Sequence, residues 1–372
     1  MNQIQKPEDM LCLPTVFAVE DRYLIMIPFA RECVVRVRVG DRVFCDHCCG
    51  ILRSGKKMHR VELPMDVLDA AGVYTVVWHN IIERKPYFPT NEPEKTLTLA
   101  FRPLPSEGDI HIYHVADAHN LVSQPVAAAS YFGDDLDLLV LNGDIPNHSG
   151  EIENFNAICE IASAVTKGTV PTVFARGNHD TRGIYAEVMP EYIPTGRTGM
   201  TYYTFRLGRV WGLVLDCGED KEDDHGEYGV TVCFHDFRLE QTDFIRSVIR
   251  RAATEYAAEG VEFRLVISHI PFFRIPAEPF NIEQELYHEW TQLLGEHIKP
   301  TLGLHGHTHF ARVATPGSED DHQGLKYPAV IGSAPTFGAD PTFVGAAVTL
   351  QKDGTTIVFN DHEGKTLETH QL

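Results

Sequence analysis

Five strand-like apolar runs in this chain each end on residues able to bind a metal ion, and that pattern limits the fold more than any other feature. The runs are "IHIYHVADAH", "LDLLVLNGD", "TVFARGNHD", "FRLVISH" and "TLGLHGHTH". They deliver Asp117 and His119, then Asp144, then Asn178 with His179 and Asp180, then His269, and last His307 with His309. Helical stretches such as 154–165 and 239–258 lie between them, which predicts an α/β architecture. In an open sheet of that kind, ligands bind just beyond the carboxyl ends of the strands. The five polar ends are therefore expected to meet in one crevice.

Asp, His and Asn together suit borderline divalent ions such as Mn, Fe or Zn, and the absence of Cys from every cluster argues against a structural zinc site. Seven candidate ligands, Asp117, His119, Asp144, Asn178, His269, His307 and His309, are more than one ion needs. If Asp144 bridges, each of two ions has four protein donors and keeps open positions for water and substrate. Alternation in an extended segment lets His307 and His309 share a face. His305 shares that face lower in the strand, where a core role is expected for it.

The order D-x-H (117–119), G-D (143–144), G-N-H-D (177–180), His269 and G-H-x-H (306–309) resembles the calcineurin-like metallophosphoesterase superfamily. The resemblance implies that Asp117, His119 and His309 hold a first ion, that Asn178, His269 and His307 hold a second, and that Asp144 bridges. It implies that His179 is no ligand and sits over the substrate, with Asp180 orienting its imidazole. The implied fold is a four-layer sandwich of two mixed β-sheets flanked by helices. The implied activity is hydrolysis of a phosphomonoester or phosphodiester, by in-line attack of a hydroxide that two divalent ions make available near neutral pH. Arg182, three residues past His179, is expected to grip a phosphate oxygen bidentately.

The first hundred residues differ in texture. Period-two runs such as "CVVRVRV" and "VYTVVWH", separated by close turn signals, predict a small all-β sandwich, similar to a fibronectin III module. The proline-rich segment 83–108 sets a boundary near 105, giving domains 1–105 and 106–372. Purple acid phosphatases share such a layout, but they carry a Tyr three residues after the bridging Asp to ligate ferric iron. Here that position is Asn147, and His119 fills a ligand slot that those enzymes leave without a histidine. The self-associating, site-covering and partner-binding roles all stay open for the N-terminal part.

A formal net charge of -20 argues against a nucleic-acid backbone or an anionic membrane as partner. A nuclease of the same superfamily would want a basic groove with stacking aromatics, and this charge counts against it. A catalytically silent scaffold would lack a ligand or the histidine after the Asn, whereas every position is filled. The expected partner is a small phosphate-ester substrate. "MNQIQKPEDMLCLPT" has no basic segment followed by an apolar run, so a cytoplasmic location is expected, with the eight cysteines mostly reduced. Further candidates near the site are His148, His225, Phe272, Phe273 and Arg274, each weighed against ordinary loop or core roles. "CDHCC" (45–49) reads as a turn, for want of a second pair at zinc spacing.

Overall fold

The computed structural model of the protein describes residues 5–372; the first four residues, part of the segment scanned for a leader, lie outside the described residues. Six strands matter most for the site: β1 (Ile110–Val115), β2 (Leu138–Asn142), β3 (Thr172–Ala175), β4 (Val210–Leu215), β5 (Phe263–Ser268) and β6 (Leu302–His305). The first three run parallel in the middle of a nine-stranded sheet. The other three run parallel in a six-stranded sheet, which continues through Ala329–Ile331. Most of their side chains are buried on both faces, as near-continuous Val, Leu and Ile runs require.

The two sheets face each other across one core, where Ile112, Val140 and Val173 meet Val214, Ile267 and Leu304. Outside the first sheet lies α1 (Asn156–Thr166), whose Ile158 and Ile161 pack with Tyr113, Leu139 and Leu141. Outside the second lie α2 (Phe234–Arg250) and α3 (Gln284–Leu293), whose Ile245, Val248 and Trp290 cover Trp211, Leu213 and Val266. These are the four layers expected. Helix α2 starts earlier and ends earlier than the periodicity over 239–258 suggests. Its buried stripe is Arg238, Gln241, Thr242, Ile245 and Val248, which leaves Leu239 46 % exposed.

The N-terminal hundred residues form a β-sandwich, and one of its two sheets is continuous with the phosphoesterase sheet. Thr15–Val19 pairs in parallel with β3, with Phe17 opposite Thr172, and Arg22–Pro28 and Met58–Pro64 extend that sheet to its edge. Cys33–Val39, Val73–Glu83 and Lys95–Ala100 form the facing sheet, and Val35, Val37, Val76 and Trp78 close on Val16, Ile25 and Val61. The boundary near 105 falls in the irregular segment 101–109 between two strands. At the far end, Val344–Gln351 and Gly354–Asp361 form a hairpin, with Lys352 and Asp353 as the two loop residues. Among the described residues every cysteine is a free thiol, and no helix is long and apolar enough to cross a membrane.

Candidate metal centre

Each predicted ligand leaves the end of a strand on a sharply turned backbone. Asp117 follows β1, Asp144 follows β2, Asn178 follows β3, His269 follows β5, and His307 and His309 follow β6. Five of the seven, Asp117, His119, Asp144, His307 and His309, have φ between +43° and +72°. That left-handed region costs a non-glycine residue about 1 kcal/mol or more, and such strain gathers where side chains must converge. Glycines make room for the convergence. A Cβ on Gly143 would lie 2.6 Å from the His269 ring, and one on Gly177 would overlap Asp144. The G that opens G-D and G-N-H-D is thus a requirement of close approach.

Backbone bonds lace the loops together. The Asp117 N–H donates to the Gly143 carbonyl, the His119 N–H to the Asp144 carbonyl and the Gly306 N–H to the His269 carbonyl, at 2.8 to 3.0 Å. Side-chain donor atoms then fall into groups lying within 4.8 Å of one another: Asp117, His119 and His309; Asp144, His269 and His307; and His119, Asp144 and His179. Asp144 belongs to two of them. The Asn178 side-chain oxygen joins the second group, 3.0 Å from His307 Nδ1 and 3.3 Å from Asp144 Oδ2. The opposite amide orientation would instead turn the NH2 toward these acceptors and let the oxygen accept from Arg182. With a cation between these lone pairs, the oxygen-inward orientation would be the one that ligates.

Charge explains why the cluster suits a cation. Asp117 is pushed up to about 8 by burial, reinforced by the neighbouring Asp144 carboxylate. Burial also holds His119 down to about 3 and His307 to about 4, so both are neutral imidazoles, the form that ligates. His269 behaves differently. Burial lowers it, but Asp144 and Asp117 more than offset this and lift it to about 10, and its Nε2 lies 3.1 Å from Asp144 Oδ2. Two buried acidic side chains thus draw positive charge to this position. The His269 Nδ1–H donates to the Asn142 carbonyl at 2.7 Å, which aims Nε2 into the site.

His179 lies beside the group, its ring edge-on to His119 with centroids 4.6 Å apart. Its backbone N–H donates to Asp144 Oδ1 at 2.8 Å. Two expectations for its neighbours need correction. Asp180 does not orient the imidazole: its Oδ2 accepts the Gly177 N–H at 2.7 Å within the turn His179–Thr181. The imidazole is held by Asn147, whose carbonyl accepts from Nδ1 at 2.9 Å. Nor is Arg182 a free bidentate fork. Its Nε and Nη2 are committed to Glu219, with Nη2 also 3.1 Å from Asp220. Only Nη1 is left toward the centre, donating to His179 Nε2 at 3.2 Å.

Asp220 is a site residue that sequence reading passed over within the acidic run 218–229. It is 8 % exposed, held by Lys221 Nζ and the Tyr228 hydroxyl at 3.0 and 3.1 Å, and it faces the Asn178 NH2 at 3.5 Å. A carboxylate there would accept from the NH2 whenever the amide oxygen turns inward to a cation. Asp220→Asn is expected to weaken metal binding about tenfold, read by competition with a chelating dye, because a residue that orients a ligand typically carries that much. His225, in the same run, caps a turn by accepting the Glu227 N–H. His148 likewise accepts the Gly150 N–H. Phe272 and Phe273 are fully buried around His305 and serve packing, whereas Arg274 pairs with Asp320 and lines a small cavity with Asp220 and His307. His305 is a core residue, with Nδ1 3.0 Å from the Ser268 hydroxyl.

A four-layer α/β sandwich with buried carboxylates, imidazoles and an amide gathered beyond its strand ends is the frame of a metallohydrolase. The family model for calcineurin-like phosphoesterases matches residues 108–311. The chain belongs to the calcineurin-like phosphoesterase family, and with it to the metal-dependent phosphoric ester hydrolases. Among solved structures it is similar to a purple acid phosphatase from yellow lupin (Lupinus luteus) seeds at 13 % identity, covering 96 % of this chain and 73 % of that one with a TM-score of 0.59. It is also similar to PhoD at 11 % identity, covering 99 % of this chain and 90 % of that one with a TM-score of 0.57. At such identities the likeness is one of fold. No curated protein sequence matches the chain.

Proposed function

We propose that the protein is a dinuclear phosphoesterase that hydrolyses a small phosphomonoester or phosphodiester. Asp117, His119 and His309 hold one divalent ion, Asn178, His269 and His307 hold the other, and Asp144 serves both. The observation that carries this reading is the convergence of the side chains from five separate strand ends, the donor atoms of Asp117, His119 and His309 and those of Asp144, His269 and His307 each lying within 4.8 Å of one another. When bound, such ions lower the pKa of coordinated water and polarise phosphoryl oxygens. The chain contributes the geometry. The His179 Nδ1–H is committed to the Asn147 carbonyl, so Nε2 is the ring atom that would face a leaving oxygen, and it would serve that oxygen as a donor only when protonated and released from Arg182 Nη1. Arg182 Nη1, the one nitrogen not on Glu219 or Asp220, rests on His179 Nε2 and would have to leave it to reach a phosphoryl oxygen, singly.

The test is hydrolysis of one aryl phosphomonoester and one aryl phosphodiester by metal-stripped protein resupplied with Mn, Fe(II) or Zn, with bound metal counted by elemental analysis. Turnover is expected only after resupply, with two ions per chain. A single ion at full activity would sink the dinuclear reading. Two bound ions without turnover of either ester would favour a catalytically silent scaffold.

A further inference from the structure

The loop 332–343 brings to the centre a side chain that the phosphoesterase reading does not use. Phe337 is 52 % exposed, yet its ring centroid lies 5.4 Å from that of His119 and 5.9 Å from that of His309. The ring stands at 83° and 61° to those imidazoles, so neither stacks on it face to face. Core packing does not account for a large apolar ring left half in water at this position; the loop's other phenylalanine, Phe343, is fully buried.

The loop that carries the ring is tied down where it starts and cross-linked near its tip. The Ser333 hydroxyl accepts the Ala116 N–H at 2.8 Å, one residue before Asp117, and the Gly332 N–H donates to the His305 carbonyl at 2.8 Å. Nearer the tip, the Thr336 N–H donates to the Thr342 carbonyl at 3.0 Å, and the two threonine hydroxyls meet at 2.7 Å. Phe337 is therefore tied to the same strands that deliver the ligands. His179 and Phe337 both pack edge-on against His119. A leaving oxygen at His179 Nε2 would carry its substituent past that imidazole toward the Phe337 ring.

We propose that Phe337 is a specificity-determining wall of the centre, and that the group esterified to the phosphate is a planar aromatic ring. This rests on the phosphoesterase reading. An aromatic substituent gains an offset or edge-on contact with Phe337 and dries its exposed surface. A polyol substituent leaves the ring wet and gains nothing from it.

Two measurements decide it. The first compares kcat/KM for phenyl phosphate and glycerol phosphate in wild type, Phe337→Ala, Phe337→Leu and Phe337→Trp, with bound metal counted in each. Phe337→Ala is expected to lower the phenyl-to-glycerol ratio about tenfold, with Trp restoring it and Leu restoring little. An equal loss for both esters, or loss of metal, would make Phe337 a shield for the ligands and overturn the proposal. The second measures the fluorescence of Phe337→Trp during titration with phenylphosphonate or methylphosphonate, against the wild-type background from the buried Trp78, Trp211 and Trp290. The phenyl compound is expected to act at about tenfold lower concentration; equal titrations overturn the proposal. Discriminating binding without turnover would sink the hydrolase reading alone, and turnover without discrimination would sink this inference alone.

Discussion

Asp144→Asn is expected to lower turnover by about a thousandfold or more, and to lower bound metal from two ions per chain to one or none. Asp144 is the carboxylate that reaches both sides of the centre. Its Oδ2 lies 3.1 Å from His269 Nε2, 3.9 Å from His119 Nε2 and 3.3 Å from the Asn178 oxygen. Its Oδ1 accepts the His179 N–H at 2.8 Å. An asparagine keeps its oxygen on that N–H, so its NH2 takes the place of Oδ2. An amide nitrogen has no lone pair to give a metal ion, and its hydrogens point at the lone pairs of the other donors.

The same geometry separates chemistry from folding. Because the bond to His179 survives, the variant should unfold in chelator at a temperature within a few degrees of the wild type. Turnover and metal content read the site, while the melting point in chelator reads the frame. Activity within tenfold of wild type, with two ions still bound, would remove Asp144 from the bridging role. Loss of the melting transition would instead mean that the carboxylate is part of the fold.

How much of this was legible in the sequence depends on what each residue does. Strands β1 to β3, β5 and β6 were readable because a strand covered on both faces needs a largely apolar run, and the candidate ligands because they end those runs on residues that have little reason to be buried. The glycines of G-D and G-N-H-D were visible, but the reason for them, the approach of Gly143 to His269 and of Gly177 to Asp144, is a contact between distant segments. The Asn147 carbonyl on His179 left no signal, since any residue offers a carbonyl. Arg182 looked free because its partner Glu219 lies 37 positions away. Phe337 in "SAPTFGADPTF" is indistinguishable from a core phenylalanine until the loop is closed.

One signal was present and pointed to the shared sheet. "CVVRVRV" alternates buried with more exposed positions, as a sheet with one wet face does, whereas "TVFAV" and "RYLIMIP" are buried at every position. Unbroken burial means that both faces of those strands are covered. The inner face meets the facing sheet of the sandwich. The outer face meets α1: Phe17, Leu24 and Met26 lie in one cluster with Phe155, Ile158 and Phe174.

From this we propose that the boundary near 105 divides one folding unit, and that a fragment comprising 106–372 does not fold by itself. Removing 1–105 strips β3 of its parallel neighbour and leaves its N–H and C=O groups as an open edge in the middle of what was a continuous sheet. It also uncovers Phe155, Ile158 and Phe174 on one side and Val173 and Ala175 on the other. Each large apolar side chain returned to water costs roughly 1.5–3 kcal/mol, against a total stability of about 5–15 kcal/mol for a domain. The fragment is expected to be recovered insoluble, or soluble without a cooperative thermal transition. A fragment that melts cooperatively and binds two ions would show instead that the sandwich is an appended module. The effect should reach the centre because β3 leads directly into Gly177, Asn178 and His179, so the N-terminal strands brace the segment that carries two of the candidate site residues.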